Sequence, residues 1–182
     1  NLEMPADYFR ITWRMEFVEA ETNKIREEKS RMFSAVLYKH GFKFPAKSIN
    51  GIPTTRKSCD EGYLVIDSED QLFHVKMIKG EPYVAGIDIP DNWDIVHIEC
   101  VDIRSKEFYC YLFTANKGVF VVMDEIYELQ RLPVEGFDPA VHELKINCDM
   151  FNKSFALEGK DFVKVIAVDD TYEVVNTYEE TW

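Results

Sequence analysis

The chain has 182 residues, a formal net charge of −12 and 46% hydrophobic residues. Its length and composition predict one domain with a substantial core, and they exclude a disordered, collagen-like or low-complexity chain. The excess of 33 acidic over 21 basic residues argues against nucleic-acid binding, because an acidic surface repels a phosphate backbone.

The first predicted element is a strand over residues 8–18, where apolar side chains alternate with polar ones. Alternation with a period of two is typical of a half-buried strand. The aromatic content of 14% also favours strands, in which large rings are enriched. The side expected to be buried carries Phe9, Ile11, Trp13, Met15 and Phe17.

Apolar residues at helical spacing then predict one helix over residues 23–40. Thr22 or Asn23 is the expected N-cap, and Gly41 suits the position just past the C-terminal end. The side expected to face the sheets carries Ile25, Met32, Phe33 and Val36.

The opposite side of this helix is rich in cations, namely Lys24, Arg26, Lys29, Arg31 and Lys39. One interpretation is an anion-binding stripe. We favour a solvated face with ion pairs between neighbouring turns, because acidic residues are interspersed among these cations.

After residue 45, short strands separated by polar turns repeat three times, over residues 62–87, 96–132 and 143–178. Val119 lies 48 residues after Gln71, and the equivalent Phe162 lies 43 residues further on. This period is close to that of propeller blades, which are four-stranded antiparallel meanders.

The predicted fold class is therefore mainly β with one α-helix, built from blade-like antiparallel meanders. Residues 1–45 would supply a strand and the helix, and residues 46–182 three blade-like repeats of a single domain. Three blades are too few for a usual closed propeller, which leaves a partial β-propeller-like ring or stacked sheets. The strand residues expected in the core are Leu64, Ile66, Phe73, Val75, Phe113, Phe120, Val122, Val163, Val165 and Ala167.

The four cysteines are far apart, with no Cys-x-x-Cys pair. If residues 96–103 and 108–114 form a hairpin, Cys100 lies opposite Cys110. Cross-strand Cβ atoms are about 4.5 to 5.5 Å apart, slightly beyond the separation that a disulfide prefers. We therefore predict two small buried thiols here rather than a bridge.

Catalytic and cofactor signatures do not appear in the sequence. The four histidines lack metal-ligand spacing, and neither a nucleophile elbow nor a phosphate-binding glycine loop is present. We predict no catalytic residue, no metal site and no cofactor. His74 and Lys76 attract attention because they share one face of a predicted strand, which lines either a cleft or a sheet edge.

Five short motifs follow one another along the chain: FVEAETN at 17–23, GFKFPA at 41–46, DEGY at 60–63, LFHVK at 72–76 and LPVEGFDP at 132–139. In this order they resemble an uncharacterised bacterial family, a domain of unknown function. That family is typically anchored by membrane helices and encoded beside ABC-transporter components. The resemblance covers about residues 13–178.

The resemblance implies an extracytoplasmic, periplasmic domain of a membrane-anchored protein. No apolar run in this chain is long enough to span a membrane, and the chain starts at Asn1 without a leader, so we expect a piece of a longer protein. The family supplies no catalytic residues. Our candidate binding residues are His74, Lys76, Asp60 and Tyr63.

The leading hypothesis is a non-enzymatic binding or assembly domain accessory to an ABC-type transport system. It would contact a membrane transporter subunit or a small ligand through sheet edges or an aromatic surface. One alternative is a hydrolase or lyase with a site assembled from distant turns, which a pocket joining His74, Lys76 and a turn carboxylate would favour. Another is a structural spacer, which a structure without a cleft or an exposed apolar patch would favour.

Overall fold

The computed structural model describes residues 5–52, 61–102, 107–124, 126–148 and 153–182. Strands make up 51% of it and a single helix is present in this part of the chain, which confirms the predicted fold class. The strands form four antiparallel sheets, none closed into a barrel. They lie in two compact units, Asn1–Pro90 and Asp91–Trp182. That the chain is one domain stays a prediction.

The chain opens with a hairpin, not with the single strand predicted for this region. Its strands are β1 (Asp7–Ile11) and β2 (Met15–Glu19), joined by a three-residue turn. Because Ile11 pairs directly with Met15, odd-numbered side chains remain on one side across the turn. The alternation in the sequence is thus the same for one long strand and for this hairpin. The prediction was wrong for Trp13, which lies in the turn and is 71% exposed.

The helix α1 (Glu27–Lys39) begins four residues later than predicted. The segment before it still belongs to the hairpin, because Ile25 forms a β-bridge with Val18. Neither Thr22 nor Asn23 is therefore the N-cap, which is an arginine without a side-chain capping bond.

The C-terminal end of α1 follows the prediction. Gly41 has a φ of +87°, in the left-handed region that suits glycine. Its N–H donates to the carbonyl of Tyr38 at 3.0 Å, and the N–H of Phe42 donates to the carbonyl of Leu37 at 3.1 Å. These two bonds form a Schellman motif, which satisfies carbonyls that the helix end would leave unpaired.

Two serines of α1 cover the open edge of β2. The Ser30 hydroxyl accepts the N–H of Phe17 at 2.9 Å, and the Ser34 hydroxyl accepts the N–H of Met15 at 3.0 Å. An exposed strand edge would leave these donors to water or to another strand. The helix is therefore joined to the hairpin by directional bonds as well as by apolar packing.

The first unit also contains a four-stranded sheet in the order β3-β4-β5-β6. Its strands are β3 (Ser48–Gly51), β4 (Tyr63–Ile66), β5 (Leu72–Ile78) and β6 (Glu81–Ile87). The core of this unit joins one side of the sheet to the hairpin and to α1, where Phe33 and Leu37 are buried and Met32 and Val36 pack beside them. The predicted orientation is confirmed for Met32, Phe33 and Val36, whereas Ile25 lies before the helix, in the bridge to Val18.

The second unit contains two further four-stranded meanders. The second sheet has the order β10-β9-β8-β7, and the third has the order β11-β12-β13-β14. The strands are β7 (Ile95–Cys100), β8 (Phe108–Thr114), β9 (Gly118–Met123), β10 (Leu129–Arg131), β11 (Glu143–Cys148), β12 (Lys153–Glu158), β13 (Phe162–Val168) and β14 (Val174–Thr181). The second core lies between these two sheets, so within this unit the sheets are stacked. A propeller-like ring stays a prediction.

Most of the predicted strand cores are confirmed. Buried residues include Leu64, Ile66, Phe73, Val75, Phe120 and Val122, whereas Phe113 is half-buried. The prediction was wrong for β13, in which Val163, Val165 and Ala167 are only half-buried and the core contains Ile166 and Val168. Apolar residues occupy both faces of β13, so alternation alone does not choose the buried one.

Cys100 and Cys110 are directly opposite each other on β7 and β8, as the hairpin prediction required. Both thiols are free; Cys110 is fully buried and Cys100 is half-buried. Burial raises the pKa of the Cys100 thiol to about 11, and it raises that of Cys110 well above its usual value.

Candidate functional site

His74 lies in the middle of β5 and is almost completely buried. Its Nε2 meets the backbone carbonyl of Glu61, and since a carbonyl only accepts, Nε2 carries the proton. Gly62, with a φ of +76°, allows this approach, because a Cβ there would collide with Lys76 and with the carbonyl of Val75. The glycine of the DEGY motif thus lets the backbone at residues 61 and 62 approach β5 closely.

Lys76 shares the face of β5 with His74, as predicted. Its Nζ is 3.4 Å from the Glu61 carboxylate and 5.3 Å from the ring centroid of Tyr83. The ring of His74 lies edge-on to Tyr83, with the centroids 6.1 Å apart. These four side chains form a compact polar and aromatic cluster. The role of His74 and Lys76 in binding stays a prediction.

Tyr63 is not part of that cluster. It pairs with Val75 on β5, so it points to the opposite face of the sheet from His74. There its ring packs edge-on against Phe9, with the centroids 4.6 Å apart. Asp60 lies outside the described residues.

An open groove lies along the solvent-facing side of α1, and we call it the α1 groove. Its volume is about 950 Å³. It is lined by Trp13, Arg14, Glu27, Glu28, Arg31, Ser34, Ala35, Tyr38 and Phe44. The hairpin turn contributes the first two residues, α1 contributes the next six, and the segment after α1 contributes Phe44.

Arg14 fixes the turn end of the α1 groove. Its guanidinium carbon lies 4.6 Å from the ring centroid of Trp13. Two of its nitrogens donate to the two oxygens of Glu27, at 3.0 and 3.1 Å, and its Nε donates to Glu16 at 3.0 Å. A bidentate pair of this kind defines geometry as well as adding energy. Trp13 is therefore exposed while its ring packs against the Arg14 guanidinium.

The buried carboxylate of Glu16 binds both Arg14 and Arg10. Its carboxylate is almost completely buried and accepts hydrogen bonds from Arg10 at 2.7 Å and from Arg14 at 3.0 Å. These bonds, the one from Arg10 foremost, lower the pKa of Glu16. The bonds from Arg14 to Glu27 and Glu16 likewise raise the pKa of Arg14. Both groups are thus charged near neutral pH.

Tyr38 and Phe44 also line the groove. Tyr38 lies in the last turn of α1 and is 79% exposed, and Phe44 is half-buried against Phe42, with the centroids 4.9 Å apart. Ala35 adds a small apolar side chain to the lining. The groove thus offers two exposed rings, further apolar surface and charged side chains.

A family model matches a stretch of the chain that includes every residue of the α1 groove. The model of the family described as Domain of unknown function (DUF4857) matches residues 1–168. The chain belongs to this family. The resemblance to a domain of unknown function is confirmed at that level, whereas the bacterial origin, membrane anchoring and transporter link stay predictions. Comparison with curated proteins and with solved structures gave no match.

Two further findings apply to the part of the DUF4857 chain that the structure describes. No group of three or more histidine, cysteine, aspartate or glutamate side chains there is arranged to hold a metal ion. No helix there is long and apolar enough to cross a membrane.

The α1 groove was missed in the sequence for two reasons. Trp13 continues the alternation of residues 8–18, so it was assigned to the core. Tyr38 lies on the polar side of the helix. A large ring among charged residues there is the one sequence feature that indicates an exposed aromatic surface. Arg31 is one of five cations on the polar side of the predicted helix, and the sequence does not distinguish it from the others.

Proposed function

We propose that this chain is a non-enzymatic binding domain that receives a segment of a protein partner in the α1 groove. The observation that carries the proposal is the pair Trp13 and Tyr38, two large exposed rings that line one groove. Tryptophan, tyrosine and arginine are the residues most enriched at the energetic centres of protein interfaces. The groove combines all three.

The lining of the groove is also held together by contacts within the unbound chain. The hairpin turn is tied to α1 through the ion pair of Arg14 with Glu27 and through the bond from Met15 to Ser34. Side chains that are already fixed lose less entropy on binding, so more of the contact energy appears as affinity. This order favours a binding surface over an adventitious hollow.

The length of the groove fits an extended segment. From Glu27 to Tyr38 the helix rises about 16 Å, which is the length of about five extended residues. Its volume of about 950 Å³ is at the upper end of the range for small-ligand sites. A spacer would need neither a groove nor ordered exposed rings, so these features favour binding.

We further propose the setting that the five motifs suggested: an extracytoplasmic domain of a membrane-anchored protein, accessory to an ABC-type transport system. The support for this setting is the resemblance alone. Protease treatment of spheroplasts that express the full-length protein tests it. Cleavage of this domain without lysis is expected, and full protection would contradict it.

Selection from a displayed library of random 12-residue peptides tests the proposed function. Peptides selected on the wild type should bind Trp13→Ala about 30-fold more weakly, the effect of removing a central interface residue worth about 2 kcal/mol. Trp182→Ala is the matched control, because Trp13 and Trp182 are both 71% exposed and only Trp13 lines the groove.

Affinity is measured by fluorescence anisotropy of labelled peptides, and circular dichroism checks that each variant is folded. Tyr38→Ala should weaken the same peptides. If no peptide binds, or if Trp13→Ala binds as the wild type does, the groove is not the binding site.

A further inference from the structure

We infer that the segment bound in the α1 groove presents a carboxylate to Arg31 and apolar side chains to the two exposed rings beside it. This inference rests on the proposed function and names the chemistry of the partner. It follows from which charges in the groove are already paired and from where the remaining cation lies.

The charges at the turn end of the groove neutralise one another. Arg14 binds both oxygens of Glu27 and also reaches the buried Glu16, which Arg10 binds as well, so two guanidinium groups match two carboxylates. None of these groups needs an external counter-ion, so this end contributes ring surface and order rather than free charge.

Arg31 is different. It is exposed, and its side chain makes no ion pair or hydrogen bond with any residue that the structure describes. Glu27 lies one turn earlier on α1, at the spacing of a helical ion pair, but both of its oxygens already accept from Arg14. Arg31 thus retains a full set of donors in a planar fork, which matches a carboxylate.

The acidic residue nearest in sequence does not occupy the centre of the groove. Glu28 also lines a second groove of about 550 Å³ on the other side of the helix, together with Lys29 and Met32. A residue that lines both grooves lies on the ridge between them. Glu27 lines both grooves as well, whereas Arg31 lines the α1 groove and not the second one, so the unpaired charge over the α1 groove is positive.

Arg31 lies on the same stretch of α1 as the two exposed rings. The N–H of Met15 donates to Ser34, so the hairpin turn that carries Trp13 lies against the second half of the helix. Tyr38 lies two turns after Arg31, about 10 Å along the axis. A ligand that contacts Arg31 and either ring therefore places an acid beside an apolar group.

The long-range field of the protein does not select such a ligand. The net charge of −12 repels acidic partners at a distance, but at 0.15 M salt the screening length is about 8 Å. Recognition at Arg31 is therefore a short-range effect, and the test is run at that salt concentration.

The test compares parallel selections from the same 12-residue library. The wild type should enrich peptides that combine Asp or Glu with apolar residues. Arg31→Gln should lose the preference for acid while keeping the apolar residues, and Arg31→Glu should replace acid by Lys or Arg. Lys39→Gln is the matched control, since it removes another exposed cation of α1 that does not line the groove.

Affinities then separate the inference from the proposed function. Replacing the acid of a selected peptide by its amide should weaken binding about tenfold to the wild type and not at all to Arg31→Gln. Peptides that depend on Trp13 but show no acidic preference would overturn the inference and leave the function standing. If no selected peptide depends on Trp13, both are overturned.

Discussion

Arg14 shows how one side chain can create a surface that the sequence pattern does not reveal. It stacks on Trp13, binds Glu27 of α1 and helps to neutralise the buried Glu16. A buried carboxylate without such partners would be costly, so the same arginine serves stability and surface shape. An exposed tryptophan is consequently held in place by contacts that also stabilise the fold.

The cysteines give a prediction at the same scale. The thiolate is the reactive form, and the raised pKa values of Cys100 and Cys110 keep both protonated near pH 8. In a Cys59→Ser variant, a thiol reagent at pH 8 should therefore react rapidly only with the exposed Cys148 in the native protein.

The same reagent should find about three free thiols after denaturation without reductant, because three of the four cysteines remain. A count of one, with a peptide map linking Cys100 to Cys110, would show a disulfide and contradict the prediction. Rapid reaction of Cys110 in the native state would show that its strand is not enclosed.

At the scale of elements, each four-stranded sheet is a meander of consecutive strands, as the repeat in the sequence predicted. The strand that the sequence did not reveal is β3, whose four residues Ser48–Gly51 show no apolar alternation. It is an edge strand that pairs only with β4, so it needs little apolar surface to form. Pairing with a neighbour, not side-chain pattern, defines it.

Among the elements, β13 gives the most direct test of which strand face is buried. Ile166 pairs with Phe155 on β12 and belongs to the buried core, whereas Val165 points to the other side. Ile166→Ala should lower the free energy of unfolding by about 2 to 5 kcal/mol, since it leaves a cavity. Val165→Ala should cost less than half as much.

Urea denaturation of the two variants measures this difference. They change neighbouring residues of one strand, so the strand propensity lost is similar and the contrast reports burial. Equal losses, or a larger loss for Val165→Ala, would show that the opposite face of β13 is the buried one.

For the whole molecule, the ionisable groups predict a plateau of stability between about pH 5 and pH 9. Hydrogen bonds from Arg10 and Arg14 lower the pKa of Glu16 below its usual 4.5, so its stabilisation is present above that pH and is lost as the pH falls. Burial raises the pKa of Cys100 from 9.0 to about 11, so its contribution is complete below pH 9 and is lost as the pH rises towards 11.

Urea midpoints measured from pH 3 to pH 11 check both arms of this profile. Glu16→Gln should flatten the acid arm and leave the alkaline arm unchanged. Cys100→Ser should reduce the alkaline slope, because serine does not titrate there. A stability that rises above pH 9 would contradict the assigned burial of the thiols.

The sequence by itself determined the class of this protein, its helix and its repeats. Alternation, turn residues and a 3.6-residue period act locally. They were sufficient for the mainly β fold, for the existence of α1 and its end before Gly41, and for the pairing of Cys100 with Cys110. The pair His74 and Lys76 was likewise placed on one face of a strand by spacing alone.

Only the tertiary structure decided which faces are covered and which side chains meet across distant elements. β13 is apolar on both sides, so its buried face depends on β12 and on the second sheet. Trp13, Arg31 and Tyr38 form one groove because a three-residue turn and serine bonds bring the hairpin against α1. Contacts of this kind join residues far apart in the chain, and no local period records them.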